Sequence, residues 1–231
     1  MAVAAHASTI KTTGTATALT NEATTEFTAN TVFQITDTAK RVLDPTVALT
    51  VQQDPLADGS WAAVAATLYT VDYLFGKITF TPALGAAALV RVATGSYLAL
   101  LTVAPVRAYN WQVANEAIDS TVHGTSGGER TALYGLGDIS GSLKVYEDLL
   151  TDHDSGAGTV KFTTAVHDKA PILLELRSGG VGELLRAWVI FDDTGLGGSV
   201  EDLISATLPW KGAGKSHTNG TAAPYGSGSA S

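Results

Sequence analysis

The stretch of this sequence most suggestive of chemistry is a serine between glycines, Gly124-Thr-Ser126-Gly-Gly128. A G-x-S-x-G pattern forms the nucleophile elbow of a serine hydrolase when a buried strand precedes it and a helix follows. Asp154 and His167 stand in an order that a catalytic triad could use. However, residues 120–130 are polar and glycine-rich, which favours a long loop. We therefore predict no catalytic residue and no enzyme. A serine hydrolase is kept as an alternative that would require Ser126→Ala to abolish a measurable activity.

A second candidate, Asp152-His-Asp154-Ser-Gly156, resembles the opening of a calcium-binding loop. An EF-hand loop needs a bidentate glutamate at its twelfth position, which is Thr163 here. The five histidines show no metal-ligand spacing, and the chain has no cysteine. We therefore predict neither a metal site nor a cofactor, and we interpret the acidic stretch as a turn.

Composition narrows the class of protein. The chain has 231 residues, of which 45% are hydrophobic and only 16% are charged, so it can bury a core but offers little charge for its surface. Its net charge is −8, which argues against a protein that grips nucleic acid. The acidic excess is concentrated late in the chain: residues 1–104 hold 5 basic and 7 acidic residues, whereas residues 105–231 hold 9 and 15. So few charges suggest that much of the surface is covered by something else, although the acidic excess is also compatible with ordinary solvated surface.

Targeting signals are not expected. The first ten residues lack a basic region followed by an apolar run, so they do not resemble a secretory signal. The longest apolar candidate, residues 83–93, is interrupted by Gly85 and Arg91 and is too short to span a bilayer. We therefore expect a soluble protein made inside the cell, without a membrane segment.

The elements that would position any site are mainly strands. The alternation in residues 69–73 and 78–80 predicts a hairpin with its turn at residues 75–77. Val90 and Val92 predict a strand that ends at Gly95. We expect residues 1–30 to form an extended arm or loosely held first strands, and residues 31–104 to form a β-rich segment.

The second half continues in the same style. Over residues 105–211 we predict further strands, with one short α-helix at about 145–153 and a long loop at 120–130. Residues 200–208 fit a helix face or a strand, and we favour a strand. Residues 212–231 are rich in glycine, serine, threonine and alanine and predict a flexible tail. The other predicted strands are residues 47–51, 111–114, 135–143, 159–166, 172–177 and 184–191.

Several of these segments resemble a known family. Trp111-Gln-Val-Ala114, the stretch Ala117-Ile-Asp119-Ser-Thr121, and Gly135-Leu-Gly-Asp-Ile-Ser-Gly-Ser-Leu-Lys-Val-Tyr-Glu-Asp148 resemble the major tail (tail tube) proteins of long-tailed bacteriophages. Residues 31–45 and 69–80 resemble an N-terminal segment of some of these proteins. The likeness covers about 80% of the chain, and residues 118–121 depart slightly from the usual sequence of the family.

The resemblance implies a fold and a role. The fold would be a β-sandwich or barrel, with residues 105–211 as the tail-tube β-sandwich domain. Six copies would close into a ring with a continuous inner β-barrel. Stacked rings would form the phage tail tube, which encloses the tape-measure protein and conducts double-stranded DNA without binding it specifically. The implied partners are other copies of the chain, the tape-measure protein, and the tail terminator and distal tail proteins. The implied location is the virion, after synthesis in the host cytoplasm.

A conduit for DNA should repel phosphate rather than bind it, which predicts a lumen lined by carboxylates. The candidates for lumen-facing acidic residues are Glu116, Asp119, Glu129, Asp138 and Glu175. Candidates for a loop between rings are Thr121, His123, Ser126 and Arg130. The alternative from another class is a non-enzymatic β-sandwich module for binding or capsid decoration, which would be a monomer or trimer with exposed aromatic residues on a concave face.

Overall fold

The computed structural model describes residues 9–102, 106–119, 132–146, 169–177, 183–192, 195–197, 205–213, 216–217, 220–221 and 225–229. Most of these residues are in antiparallel strands, and two short 3-10 turns lie at Thr38–Lys40 and Ala66–Leu68. The predicted mainly-β class is therefore confirmed. In the part of the chain that the structure describes, no helix has the length and apolar character to cross a membrane.

The strands of the described residues are numbered in chain order. They are β1 (Thr9–Thr28), β2 (Val32–Ile35), β3 (Thr50–Asp54), β4 (Ala62–Ala63), β5 (Tyr69–Asp72), β6 (Lys77–Phe80), β7 (Leu89–Thr102), β8 (Val106–Asp119), β9 (Ala132–Tyr146), β10 (Ile172–Arg177), β11 (Glu183–Phe191), β12 (Gly195–Gly197), β13 (Ser205–Gly212), β14 (Ser216–His217), β15 (Gly220–Thr221) and β16 (Tyr225–Ser229).

Most strands belong to one hydrogen-bonded network. Its main path runs β4-β3-β7-β1-β10-β11-β13-β9-β8. Strands β5, β6 and β2 join the path through the pairing of β2 with β1, while β12 pairs with β13 and β16 with β11. Only β14 and β15 form a separate pair within the described residues.

The first strand connects the two halves of the chain. Its first residues, Thr9–Thr12, pair with β10, and the stretch from Lys11 to Ala23 pairs with β7. Its last residues, Thr24–Thr28, pair with β2. In the segment 1–30, expected to be an arm or loosely held strands, residues Thr9–Thr28 thus form a 20-residue strand with partners along its length, and residues 1–8 lie outside the described residues. The proposed division of the chain into domains stays a prediction.

Three clusters of buried apolar side chains hold the strands together, as expected when one face of each strand excludes water. One lies on β9, β10, β11 and β13, with Ile10 from β1. A second lies on β2, β3, β5, β6 and β7, with Leu19. The third is smaller and joins the halves, since Val42, Leu74 and Leu98 pack with Leu173 and Trp188.

The predicted hairpin is confirmed, with Tyr69 opposite Phe80 and Asp72 opposite Lys77. The Asp72 carboxylate accepts hydrogen bonds from the backbone N–H groups of Leu74 and Phe75, at 3.0 and 3.2 Å. Gly76 follows with φ +62°, a conformation that favours glycine. An aspartate whose side chain satisfies the turn and a glycine with positive φ explain why the sequence pattern located this element.

Two local predictions are wrong. The strand expected to stop at Gly95 continues to Thr102, because Gly95 pairs with Leu19 inside the sheet and not in a turn. The predicted helix fails at its start, because Val145 and Tyr146 end β9, where they pair with Ala206 and Ser205 of β13. Residues 147–153, the rest of that helix, lie outside the described residues.

Several predictions for residues 172–231 can be compared with the described strands. Strands β10 and β11 occupy 172–177 and 183–191, as expected. In the ambiguous segment 200–208, the described residues from Ser205 onward form a strand, β13. Within the predicted tail, β16 pairs with β11, with Tyr225 opposite Ala187. The predicted strand at 159–166 lies outside the described residues.

Candidate assembly edge

The longest unpaired edge among the described strands belongs to β8. This 14-residue strand pairs with β9 from Val106 to Asp119 and stands at the end of the main path of the sheet. No other described strand pairs with it. Its outer side therefore presents a row of backbone N–H and C=O groups that can accept another strand.

Contacts of two side chains hold the first half of β8 against the rest of the sheet. Tyr109 packs against the buried cluster of β9–β13, while Ala108, Asn110 and Gln112 are exposed. The Asn110 side-chain oxygen accepts hydrogen bonds from the backbone N–H and the hydroxyl of Ser142, at 2.7 and 3.0 Å. One face of β8 therefore contacts the core at Tyr109, while Trp111 on the same face is exposed.

A row of residues across three strands places an aromatic ring at this edge. Trp111 of β8 stands opposite Gly141 of β9, which in turn stands opposite Trp210 of β13. The Trp210 ring covers Gly141 so closely that a Cβ atom there would lie 2.4 Å from the ring. Trp210 is buried, whereas Trp111 is 38% exposed. A large indole is thus left partly uncovered beside the unpaired edge.

Further along, β8 and β9 continue as a two-stranded ribbon. Strand β13 pairs with β9 only from Ser140 to Tyr146. From Ile139 back to Ala132, β9 pairs with β8 alone, and the last pair is Ala132 opposite Asp119. In the part of the chain that the structure describes, this ribbon therefore has two free edges. An isolated two-stranded ribbon is marginally stable in water, so it is expected to gain stability from added strands.

Three of the predicted lumen residues fall on this ribbon. Asp138 stands opposite Ala114, Asp119 stands opposite Ala132, and Glu116 lies at an irregularity in the register between Asn115 and Ala117. The topology thus brings residues from positions 116–119 and 138 to one element. The predicted inter-ring residues Thr121, His123, Ser126 and Arg130, together with Glu129, lie outside the described residues.

Glu175 does not fit the predicted role. It is 1% exposed on β10, where the Arg186 Nε donates a hydrogen bond to its carboxylate at 2.8 Å. The Lys11 ammonium lies 3.5 Å from the other carboxylate oxygen. A carboxylate enclosed by two cations inside the chain adds no negative charge to the wall of a bore. The sequence pattern did not predict this burial. Strand β10 is buried on both faces, so the alternation of Glu175 with apolar neighbours does not place it on a solvent-facing side.

The other sequence motifs find no site in the described residues. The serine and calcium-loop motifs, with Ser126, Asp152 and Asp154, lie outside them. Within the described ranges, no group of three or more histidine, aspartate or glutamate side chains is arranged to hold a metal ion.

Comparisons with known proteins gave few matches. No family model matches the chain, and no curated protein matches it. One similar solved structure is a chain of the "virion of native gene transfer agent (GTA) particle", with 20% identity over 50% of this chain and 85% of that one, and a TM-score of 0.40. Another comes from the "tail of empty GTA particle" with C6 symmetry, with 22% identity over 51% and 84%, and a TM-score of 0.35. Since both TM-scores are below 0.5, these likenesses carry no argument about this chain.

Proposed function

We propose that this chain is a structural subunit of a phage-type tail and that neighbouring copies pair along β8 to close a ring. The observation that carries the proposal is the 14-residue edge of β8, which has no partner strand among the described residues. The segments that resemble tail tube proteins include Trp111–Ala114 of this same strand.

The composition of β8 supports its use as an interface. Proteins that remain monomers usually keep their edge strands very short or place lysine or proline on them, so that no other chain can pair there. Strand β8 contains neither lysine nor proline, and its charged residues (Arg107, Glu116 and Asp119) and its two register irregularities lie outside the central stretch from Ala108 to Asn115. It also carries the exposed ring of Trp111, and tryptophan is enriched where subunits meet. Ring closure gives every copy a partner for this edge.

The detailed role that we propose is the one implied by the resemblance to tail tube proteins. Six copies would form each ring, and stacked rings would form a tube in the virion that encloses the tape-measure protein and conducts double-stranded DNA. The tail terminator and distal tail proteins would cap such a tube. The ribbon of β8 and β9 would line the bore, where Glu116, Asp119 and Asp138 would repel phosphate, with Glu129 in the adjoining segment. Thr121, His123, Ser126 and Arg130 would contact the next ring. Glu175 is left out of this set because of its burial.

Sedimentation velocity over a range of concentrations, combined with negative-stain microscopy, tests the proposal. The wild-type chain is expected to form rings or tubes as its concentration rises. Trp111→Lys places a charge beside the β8 edge and is expected to raise the concentration needed for assembly by about tenfold or more.

The matched control is Leu56→Lys, which puts lysine in place of another exposed apolar residue, 74% exposed, between β3 and β4. This variant should assemble as the wild type does. A wild-type chain that stays monomeric at every concentration would refute ring formation and favour the binding-module alternative. Normal assembly of Trp111→Lys would refute the role of β8.

A further inference from the structure

A cavity of about 710 Å³ opens where the two halves of the chain meet, between β1, β2, β6, β7, β10 and β11. This volume lies within the range of small-molecule sites, about 300–1,000 Å³. Its wall contains five cationic side chains and one carboxylate, and these are Lys11, Arg41, Lys77, Arg177, Arg186 and Glu175.

The charge of this cavity is opposite to that of the chain. The chain carries −8 overall, whereas the residues lining the cavity sum to a formal excess of four positive charges. The one carboxylate, Glu175, is already shared between Arg186 and Lys11. Nearby Glu22 and Asp37 contact Lys40 instead, at 2.7 and 3.6 Å, and neither lines the cavity.

Arg41 and Arg186 are each held in place by a neutral backbone oxygen, although the charge of Arg186 is also paired with Glu175. The Arg41 Nε donates to the backbone oxygen of Ile35 at 2.9 Å, and Arg186 donates to the backbone oxygen of Leu74 at 2.6 Å. Burial lowers the pKa of Arg41, and the positive charge of Arg186 lowers it further, while the Asp37 carboxylate partly offsets both effects. Arginine nevertheless stays protonated in proteins, so both charges persist.

Two more cations complete the wall. The Arg177 Nε is buried and has no hydrogen-bond partner in the described part of the chain. The Lys77 ammonium lies 3.8 Å from the centre of the Phe27 ring, an interaction that positions the charge without neutralising it. A buried donor without a partner costs stability, which a bound acceptor would recover.

We propose that this cavity is a binding site for a multivalent oxyanion of the phosphate class. Guanidinium groups present their donors in a planar fork that matches phosphate oxygens, and three of the five cations are arginines. An excess of four positive charges calls for a ligand with several negative charges. The site goes beyond the proposed tail role and does not depend on it.

Isothermal titration calorimetry of the full chain with pyrophosphate tests the proposal. The wild type is expected to bind with a heat that diminishes as salt is added. Lys77→Gln and Arg177→Gln should each weaken binding by about tenfold or more, since each removes a charge-assisted contact. Lys77 is partly exposed on a strand, so its variant should fold even if that of Arg177 does not.

The matched controls are Lys211→Gln and Arg91→Gln, which remove the same charges from residues that do not line the cavity. Both should retain the wild-type affinity to within about twofold. Absence of binding at millimolar pyrophosphate would overturn the proposal. Equal weakening in the control variants would also overturn it, because only the overall charge would then matter. Neither result requires assembly, so failure of the tail role would leave this test intact.

Discussion

Replacement of Gly141 by alanine should destabilise the sheet next to the β8 edge. A Cβ atom at this position would lie 2.2 Å from the backbone oxygen of Asn110 and 2.4 Å from the Trp210 ring. Neither neighbour can move easily, since Asn110 belongs to the paired strand β8 and Trp210 is 2% exposed in the core. The alanine methyl group must therefore push β8 away from β9 or displace the indole.

The magnitude follows from two opposing effects. Overpacking of a filled site costs about 1–3 kcal/mol. Alanine restricts the unfolded chain more than glycine does, which returns about 0.4–1 kcal/mol. Because one of the clashes is with backbone, we expect the cost to lie near the top of its range. The net loss in free energy of unfolding should be about 2–2.5 kcal/mol.

Chemical denaturation monitored by tryptophan fluorescence measures this loss. Gly85→Ala is the matched control, because a Cβ atom at Gly85 meets nothing within 4 Å. The control should stay within about 0.5 kcal/mol of the wild type. If Gly141→Ala were as stable as Gly85→Ala, then the described register of β8, β9 and β13 would be incorrect.

Three further predictions concern the interior. Gly95→Ala should cost less than Gly141→Ala in the same denaturation assay, because its Cβ atom would meet only the Leu49 side-chain end, at 2.5 Å, which can rotate away. Glu175→Gln should lower the free energy of unfolding by about 3 kcal/mol, since it leaves the buried Arg186 without its charge partner; an unchanged midpoint would contradict the ion pair. Burial raises the pKa of Tyr69, whose hydroxyl donates to the Leu49 backbone oxygen at 3.0 Å. The contribution of the neutral Tyr69 hydroxyl to the free energy of unfolding is therefore complete below the pKa of an unfolded tyrosine, about 10. It is lost as pH rises through the pKa of Tyr69 in the folded chain. Tyr69→Phe should accordingly be less stable than the wild type near pH 8, and the difference should shrink in alkaline solution; a difference that is constant with pH would contradict this.

Local patterns predicted the elements whose causes are local. The hairpin of β5 and β6 depends on the Asp72 side chain and on the positive φ of Gly76, both of which act within a few residues. Strands β10 and β11 were recognisable as apolar runs bounded by glycines. The mainly-β class followed from many such segments.

The errors occurred where distant residues decide the structure. Gly95 resembles a strand end in sequence. In the structure it lies inside a strand, where the Leu49 side chain occupies the space that a Cβ atom would need. Residues 9–28 show little periodicity, but β7 and β10 supply partners for them. Glu175 resembles a surface carboxylate until β11 brings Arg186 opposite it. The cationic cavity was not predictable, because its wall combines residues from position 11 to position 186.

Hydrogen exchange along β8 tests the pairing of neighbouring copies most directly. The amides of Val106–Asp119 should be compared by mass spectrometry at concentrations below and above assembly. We expect the N–H groups that point away from β9 to exchange at least about tenfold more slowly in the assembled state, because a second copy then accepts their hydrogen bonds. Assemblies in which the β8 amides exchange as fast as in the single chain would contradict the account.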